Sequence, residues 1–279
     1  MRVIRNLQEI RDISNLAKAS GKKIGFVPTM GYLHAGHLSL VNAAKNETDI
    51  VIVSIFVNPT QFGPNEDFDN YPRDEAGDFI KLEECGCDIV FCPGKEVLYD
   101  KDSSTYVNFE GGITSKLCGL SRPGHFHGVA TIVLKLFNIV NPDISYFGQK
   151  DFQQVVVIKK MTKDFFLSTE IKMMPIIRCE NGLAMSSRNA YLNAIEREEA
   201  SSIYKSLIEA KNIIENGEKN IEKVKNVIKK HLGNLEIEYI DIVDPETLED
   251  IDVIKEKVLL LVAVKVGKTR LIDNVLVNS

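Results

Sequence analysis

The sequence predicts an α/β protein: a Rossmann-like open parallel sheet with helices on both faces, plus a smaller C-terminal α+β domain. Three observations carry that expectation. Apolar, β-branched runs such as Ile50 to Val57 are too continuous to alternate in polarity, as befits strands covered on both faces. Such runs alternate with stretches of helical periodicity over the first part of the chain. After about Ile176 the texture changes to two amphipathic helices and three closing strands, which places a domain boundary between 1–176 and 177–279.

In chain order, Leu7, Ile10, Ile13, Leu16 and Ala17 recur at helical spacing, and Ser20-Gly21 ends that helix. Lys23 to Thr29 reads as a short buried strand, Gly31 to Gly36 as a tight turn, and His37 to Ala44 as a helix presenting Leu38, Val41 and Ala44. Ile50 to Val57 is the next strand, Glu75 to Cys85 a helix and Asp88 to Cys92 a strand. Helices around Gly128 to Val140 and Asp151 to Phe166 bracket a strand from Asp143 to Phe147. In the second domain Asn193 to Glu196 fits a capping box, and Ile203, Leu207, Ala210 and Ile214 share one helical face. Asn216-Gly217 breaks that helix, and Ile221, Val224, Ile228 and Leu232 mark the next. Leu235 to Val243, Val258 to Val266 and Leu271 to Val277 read as strands, the last two joined by a hairpin turn at Gly267-Lys268.

Composition bounds the function. A chain of 279 residues with 44% hydrophobic and 26% charged content can bury roughly 70–75% of its unfolded surface. Its 18 Gly and 9 Pro are dispersed, which excludes collagen-like and disordered classes. The longest apolar stretches fall far short of the about 20 residues a membrane span needs, and no membrane partner is expected. Met1 to Arg5 leads into a charged amphipathic pattern with no secretory h-region. The net charge of −5 disfavours general nucleic-acid binding and demands that positive charge be concentrated locally to hold an anion. Cys85, Cys87, Cys92, Cys118 and Cys179 are odd in number and contain no CxxC pair. No disulfide framework or zinc site is expected, and a reducing cytoplasm fits. Cys85 and Cys87 read as inert thiols at a helix end, and Glu218 to Lys230 as a solvated helix face.

The chemistry concentrates in the run Pro28-Thr29-Met30-Gly31-Tyr32-Leu33-His34-Ala35-Gly36-His37. Its two glycines let backbone approach a ligand closely, and the helix starting near Gly36 aims unpaired N–H groups at an anion. His34 and His37, three apart, share one face of a helical turn. Two imidazoles there can donate to phosphate oxygens and neutralise developing charge, or can serve as two ligands of a metal for which no third ligand is evident nearby.

The same run is similar to the HIGH-type motif of nucleotidylyltransferase-fold enzymes and, within them, to the pantothenate synthetase family. The resemblance continues through Phe56 to Phe62, Tyr71-Pro72-Arg73, Arg122 to Phe126, Phe147 to Asp151, Gln153-Gln154 and Met185 to Asn189, so it spans both domains. It implies an ATP-dependent ligase that joins pantoate to β-alanine with Mg²⁺, releases AMP and pyrophosphate, works in the cytoplasm and forms a homodimer. Another HIGH-type nucleotidylyltransferase, which would keep the nucleotide in its product, is the competing reading. A nucleotide-binding module without chemistry is a third.

By that resemblance Met30, Gly31, Tyr32, Leu33, His34, Ala35, Gly36 and His37 form much of an ATP pocket. Gly148 and Ile177 are backbone contacts of the nucleotide, and Gln149, Lys150 and Asp151 follow, with Lys150 at phosphate and Asp151 near the ribose. Met185, Ser186, Ser187 and Arg188 resemble a KMSKS-type loop, expected to be mobile, with Arg188 as its cation. His34, His37, Lys150 and Arg188 are the expected catalytic groups. Gln61 would hold pantoate and β-alanine, and Gln154 pantoate. Asp78 aligns with a carboxylate near the metal, although Gly77 replaces an acidic neighbour, and His127 stands where relatives often carry arginine. The C-terminal domain is expected to cover the site and shield an adenylate from water.

Overall fold

The computed structural model describes residues 1–278. In chain order the strands and α-helices are β1 (Arg2–Ile4), α1 (Leu7–Ala19), β2 (Ile24–Thr29), α2 (Ala35–Glu47), β3 (Ile50–Ile55), α3 (Glu75–Glu84), β4 (Ile89–Phe91), α4 (Lys95–Leu98), α5 (Cys118–Ser121), α6 (His125–Val140), β5 (Ile144–Gly148), α7 (Phe152–Asp164), β6 (Glu170–Met174), α8 (Ala194–Glu215), α9 (Ile221–Leu232), β7 (Glu236–Val243), β8 (Lys257–Val266) and β9 (Thr269–Asn278). They form two compact units. The first comprises Met1–Glu110, Arg122–Gly148 and Val157–Pro175; the second comprises Gly111–Ser121, Gln149–Val156 and Ile176–Ser279. The change of texture near Ile176 coincides with one edge of the second unit, which also takes in two shorter segments from earlier in the chain.

The first unit is built on a six-stranded sheet in the order β1-β4-β3-β2-β5-β6, with every pairing parallel. Side chains alternate between its faces. Val27, Val51, Val53 and Val90 pack with Leu40, Val41 and Ala44 of α2 and Leu82 of α3. On the opposite face Phe26 meets Phe137 of α6 edge-on, their centroids 6.3 Å apart. Helices therefore cover both faces, which explains the unbroken apolar strands. Two strands escape the sequence reading. β1 has only three residues with a single buried side chain, and β6 is half-exposed at four of its five positions, so neither shows an apolar run.

From β2 the chain moves outward to β3 and β4, then returns to lay β5 on the other side of β2. That reversal makes β2 and β5 the switch point of the sheet, where open α/β sheets bind ligands at the carboxyl ends. β2 pairs with β3 at six positions but with β5 only at Gly25–Ile144 and Phe26–Ser145. The carboxyl halves of β2 and β5 thus part from each other and open a crevice.

The second unit packs α8 and α9 on an antiparallel sheet β7-β8-β9. Ile203, Leu207 and Ala210 of α8 and Val224 and Ile228 of α9 bury against Leu260, Val262 and Val264 of β8. Asn193 and Glu196 form the expected capping box, and Gly267, at φ +56, makes the β8–β9 hairpin turn that Val266 and Thr269 close.

Asp143 ties three elements of the first unit together. Its carboxylate accepts the Ile24 N–H at 2.7 Å and Lys18 Nζ at 2.6 Å, joining the last turn of α1 to the starts of β2 and β5. Burial raises its pKa, but Lys18 and the N–H together hold it below the ordinary value of 3.8. With a depressed folded-state pKa, this stabilisation is present above the unfolded value and is lost as pH falls through the folded one. Asp143→Asn is expected to lower the urea midpoint near neutral pH by an amount that shrinks below about pH 4; a gap independent of pH would contradict the linkage.

Candidate active site

The turn after β2 is held by side chains that bind its backbone. Thr29 Oγ1 donates to the Ser54 carbonyl at 2.8 Å and accepts the Gly31 N–H at 3.1 Å. Gly31 sits at φ +81 and Tyr32 at φ +51, two successive left-handed residues. A Cβ at Gly31 would come within 3.0 Å of Ile55 and 3.1 Å of Asp78 Oδ2, so glycine answers both the conformation and the space. Asp78 itself is 1% exposed, and its two oxygens accept the N–H groups of Tyr32 at 2.7 Å and Leu33 at 2.6 Å. Burial raises its pKa against the opposing pull of those two hydrogen bonds and of Lys81.

His34 is the N-cap of α2, where Ser, Thr, Asp or Asn is usual. Its Nδ1 accepts the Gly36 N–H at 3.1 Å, and His37 Nδ1 accepts the His34 N–H at 3.4 Å, a capping box made of two imidazoles. The rings lie 4.1 Å apart between centroids. A neutral imidazole that accepts at Nδ1 carries its proton on Nε2, so this cap fixes both rings in the tautomer that donates from the far nitrogen. Ala35 and Gly36 open the helix whose N-terminal dipole reinforces the attraction for an anion.

Gln61 joins this turn. It is 8% exposed, its Oε1 accepts Asn58 Nδ2 at 3.1 Å, and its Nε2 lies 3.1 Å from Met30 Sδ. The sequence reading gives no role to the residues that place it. Asn58, 1% exposed, also donates to the Gly128 carbonyl and accepts the Tyr99 hydroxyl. His125 Nδ1 meets the Gln61 carbonyl at 2.9 Å while its Nε2 faces Arg122, which can only donate. The ring is therefore an acceptor at Nε2 and a donor to Gln61. Arg122 is in turn paired with Glu66. Gly128 lets α6 come this close, since a Cβ there would fall 2.3 Å from the Thr60 carbonyl oxygen. Asn58 and His125 lie in the same sequence blocks as Gln61 and Arg122, which was the available signal. Gly148 ends β5 opposite Met174 of β6.

In the second unit Gln149, Lys150 and Asp151 form a single 3-10 turn leading into α7, with Lys150 Nζ 3.7 Å from the Asp151 carboxylate. Gln153 is buried and wholly engaged with backbone: Oε1 accepts the Cys118 N–H, and Nε2 donates to the carbonyls of Ile113 and Lys116. Gln154 beside it is half-buried. Ile177 and Met185 close a hairpin through the Met185 N–H and the Ile177 carbonyl. Ser186 then caps a 3-10 turn, Ser187–Tyr191, that carries Arg188. The expected looseness of this run does not appear in its packing, because Ser187 and Asn189 are buried and Asn189 donates to the Ala184 carbonyl.

The resemblance sets Asp78 near a metal. Both of its oxygens instead hold the turn, and among the described residues no group of three His, Cys, Asp or Glu is placed to bind a metal ion. Cys85 caps α3; burial raises its thiol and pushes that of Cys87 up to about 12, which disfavours the thiolate at both.

A parallel sheet with a left-handed glycine turn and a helix N-terminus at its switch point defines the class, a doubly wound α/β fold. Comparison with known proteins gives the family. The model for pantoate-beta-alanine ligase matches residues 2–276. Pantothenate synthetase of Thermosipho melanesiensis is 55% identical over 281 residues, covering 100% of both chains, and that of Acetivibrio thermocellus is 54% identical over the same span. Among solved structures, pantothenate synthetase from Thermus thermophilus has a TM-score of 0.94 at 39% identity over 99% of each chain. The Francisella tularensis pantoate-beta-alanine ligase, complexed with beta-gamma ATP and beta-alanine, has a TM-score of 0.81 at 39% identity, over 99% of this chain and 97% of that one. The chain belongs to the pantoate–β-alanine ligase family. No helix among the described residues is long and apolar enough to cross a membrane.

Asp78→Ala would leave two buried N–H groups without acceptors. It is expected to cost about 2–4 kcal/mol of unfolding free energy in urea titration; a loss below about 1 kcal/mol would mean that the left-handed turn holds itself.

Proposed function

We propose that this chain condenses pantoate with β-alanine, consuming ATP and releasing AMP and pyrophosphate through a pantoyl adenylate. Family membership across the whole chain supports the reaction, and the imidazole cap at the switch point is the structural observation that best fits it. A free carboxylate does not acylate an amine in water, because oxide would have to leave. Attack of the pantoate carboxylate on the α-phosphorus of ATP forms an acyl–phosphate bond and breaks the α–β bridge, expelling pyrophosphate. The β-alanine amine then adds to the adenylate carbonyl and AMP departs, carrying away the charge that oxide could not.

Charge that builds on the leaving oxygens needs donors already in place. His34 and His37 supply neutral Nε2–H donors, and Lys150 and Arg188 supply positive charge. Met30 to His37, Gly148 to Asp151, Ile177 and Met185 to Arg188 line the nucleotide's course, with Asp151 at the ribose. The neutral amides of Gln61 and Gln154 receive pantoate, and Gln61 also β-alanine, without an ion pair that would quench the attacking carboxylate. We assign Asp78 to the turn rather than to Mg²⁺. The ion would arrive on the triphosphate itself, as Mg²⁺ commonly does. No side chain stands out as a base for the β-alanine amine, and orientation alone supplies on the order of 7–11 kcal/mol. A homodimer in the cytoplasm belongs to the same reading and rests on family membership alone; sedimentation tests the dimer.

Labelled ATP and pantoate should give an adenylate and pyrophosphate without β-alanine, then AMP and an amide once it is added. A nucleotide retained in the final product would assign the chain to another nucleotidylyltransferase reaction. Arg188→Ala is expected to slow single-turnover pyrophosphate release by about 10²–10³-fold while pantoate affinity changes little. Unchanged release would remove Arg188 from the chemistry.

A further inference from the structure

We propose that Asp273 and Asn274, adjacent on β9, are a positioning pair that fixes the backbones carrying Lys150 and Arg188 relative to one another. The inference rests on the reading of those two cations given above. All of the residues involved lie in the second unit.

Asn274 is 2% exposed, and among the described residues its side-chain bonds all go to one dipeptide. Its Nδ2 donates to the Gln149 carbonyl at 2.9 Å and the Lys150 carbonyl at 3.0 Å, and its Oδ1 accepts Gln149 Nε2 at 3.1 Å. The 3-10 turn bearing Lys150 is thus clamped from β9 at the Gln149 and Lys150 carbonyls. Asp273, 4% exposed, serves the other element. It accepts two hydrogen bonds from Arg178, at 2.6 Å and 2.9 Å, and Arg178 also donates to the Gly182 carbonyl across the hairpin it occupies. The Arg178 guanidinium lies 3.6 Å over the Tyr204 ring, which closes its remaining freedom. That hairpin runs directly into the Ser186-capped turn of Arg188.

The two residues point to opposite faces of the strand. The register of β8 and β9 is unbroken here, with Asp273 opposite Val262 and Asn274 opposite Leu261. Polar side chains at both positions of a buried strand are costly unless fully partnered, and both are partnered by site-bearing segments. Asp273 donates nothing and receives Arg178 and the Asn274 N–H. Burial pushes its carboxyl up, against the pull of Arg178 and, more weakly, of the nearby Lys150 charge. One rigid dipeptide therefore sets the spacing of two groups whose value to catalysis is their placement.

The experiment is a double-mutant cycle read by single-turnover pyrophosphate release from ATP and pantoate. Asn274→Ala is expected to slow release about 10- to 100-fold, with pantoate affinity unchanged, and to add nothing in a Lys150→Ala background. Asp273→Asn should behave likewise against Arg188→Ala. A defect of general folding would multiply in both backgrounds and would overturn the proposal, as would wild-type release by Asn274→Ala beside a slow Lys150→Ala. Wild-type release by Lys150→Ala would overturn the assignment of Lys150 and the pairing with it. If Asn274→Ala does not fold, Asn274→Ser takes its place with the same outcomes.

Discussion

Two backbone N–H groups, those of Tyr32 and Leu33, meet one buried carboxylate, and the geometry of the turn that ends β2 hangs on that meeting. Gly31 and Tyr32 are left-handed in succession, a conformation that side-chain-bearing residues resist. Left alone, such a turn would relax, and the imidazole cap that begins two residues later would lose its origin. Those hydrogen bonds offset the cost of burying Asp78. A carboxylate in this role ties the helix that carries it, α3, to the turn that follows β2.

The same device recurs elsewhere in each unit. Thr29, Asn58, His125 and Gln153 all direct polar atoms at backbone groups of turns and short helical segments. Each such loop leaves a regular element and has unpaired peptide groups near it, so a buried side chain that satisfies them also fixes where the loop runs. The chemistry sits on loops, and the precision comes from polar residues one layer further in.

Much of this was legible in the sequence. The strands that became β2, β3, β4 and β5 are apolar because helices cover both faces, and the capping box at Asn193 follows from side-chain chemistry alone. β1 and β6 were not legible, since edge strands are not obliged to be apolar on both faces. The HxGH run reads as a phosphate site in the sequence, whereas the N-cap role of His34 was not legible, because histidine is a poor statistical cap. Asp273 and Asn274 were least legible of all. They fall inside the run Leu271 to Val277 that reads simply as a strand, and only the structure shows that one holds the Arg178 guanidinium and the other the Gln149 and Lys150 carbonyls.

A chain with net charge −5 must decide where its cations go. Arg122, Arg178 and Arg270 are each committed to a carboxylate, Glu66, Asp273 and Glu238, at hydrogen-bonding distance. Those guanidiniums are structural, and a phosphate would have to displace a better-placed anion to recruit them. The imidazoles follow another logic. In the proposed reaction they meet phosphate oxygens as Nε2–H donors, without gathering like charges that would repel one another before the ligand arrives. Under the proposed reaction the amide of Gln61 extends that logic to the acid substrate. A guanidinium in its place would bind a carboxylate more tightly, but it would stabilise the ground state of the very group that must attack, and binding of that kind raises no rate.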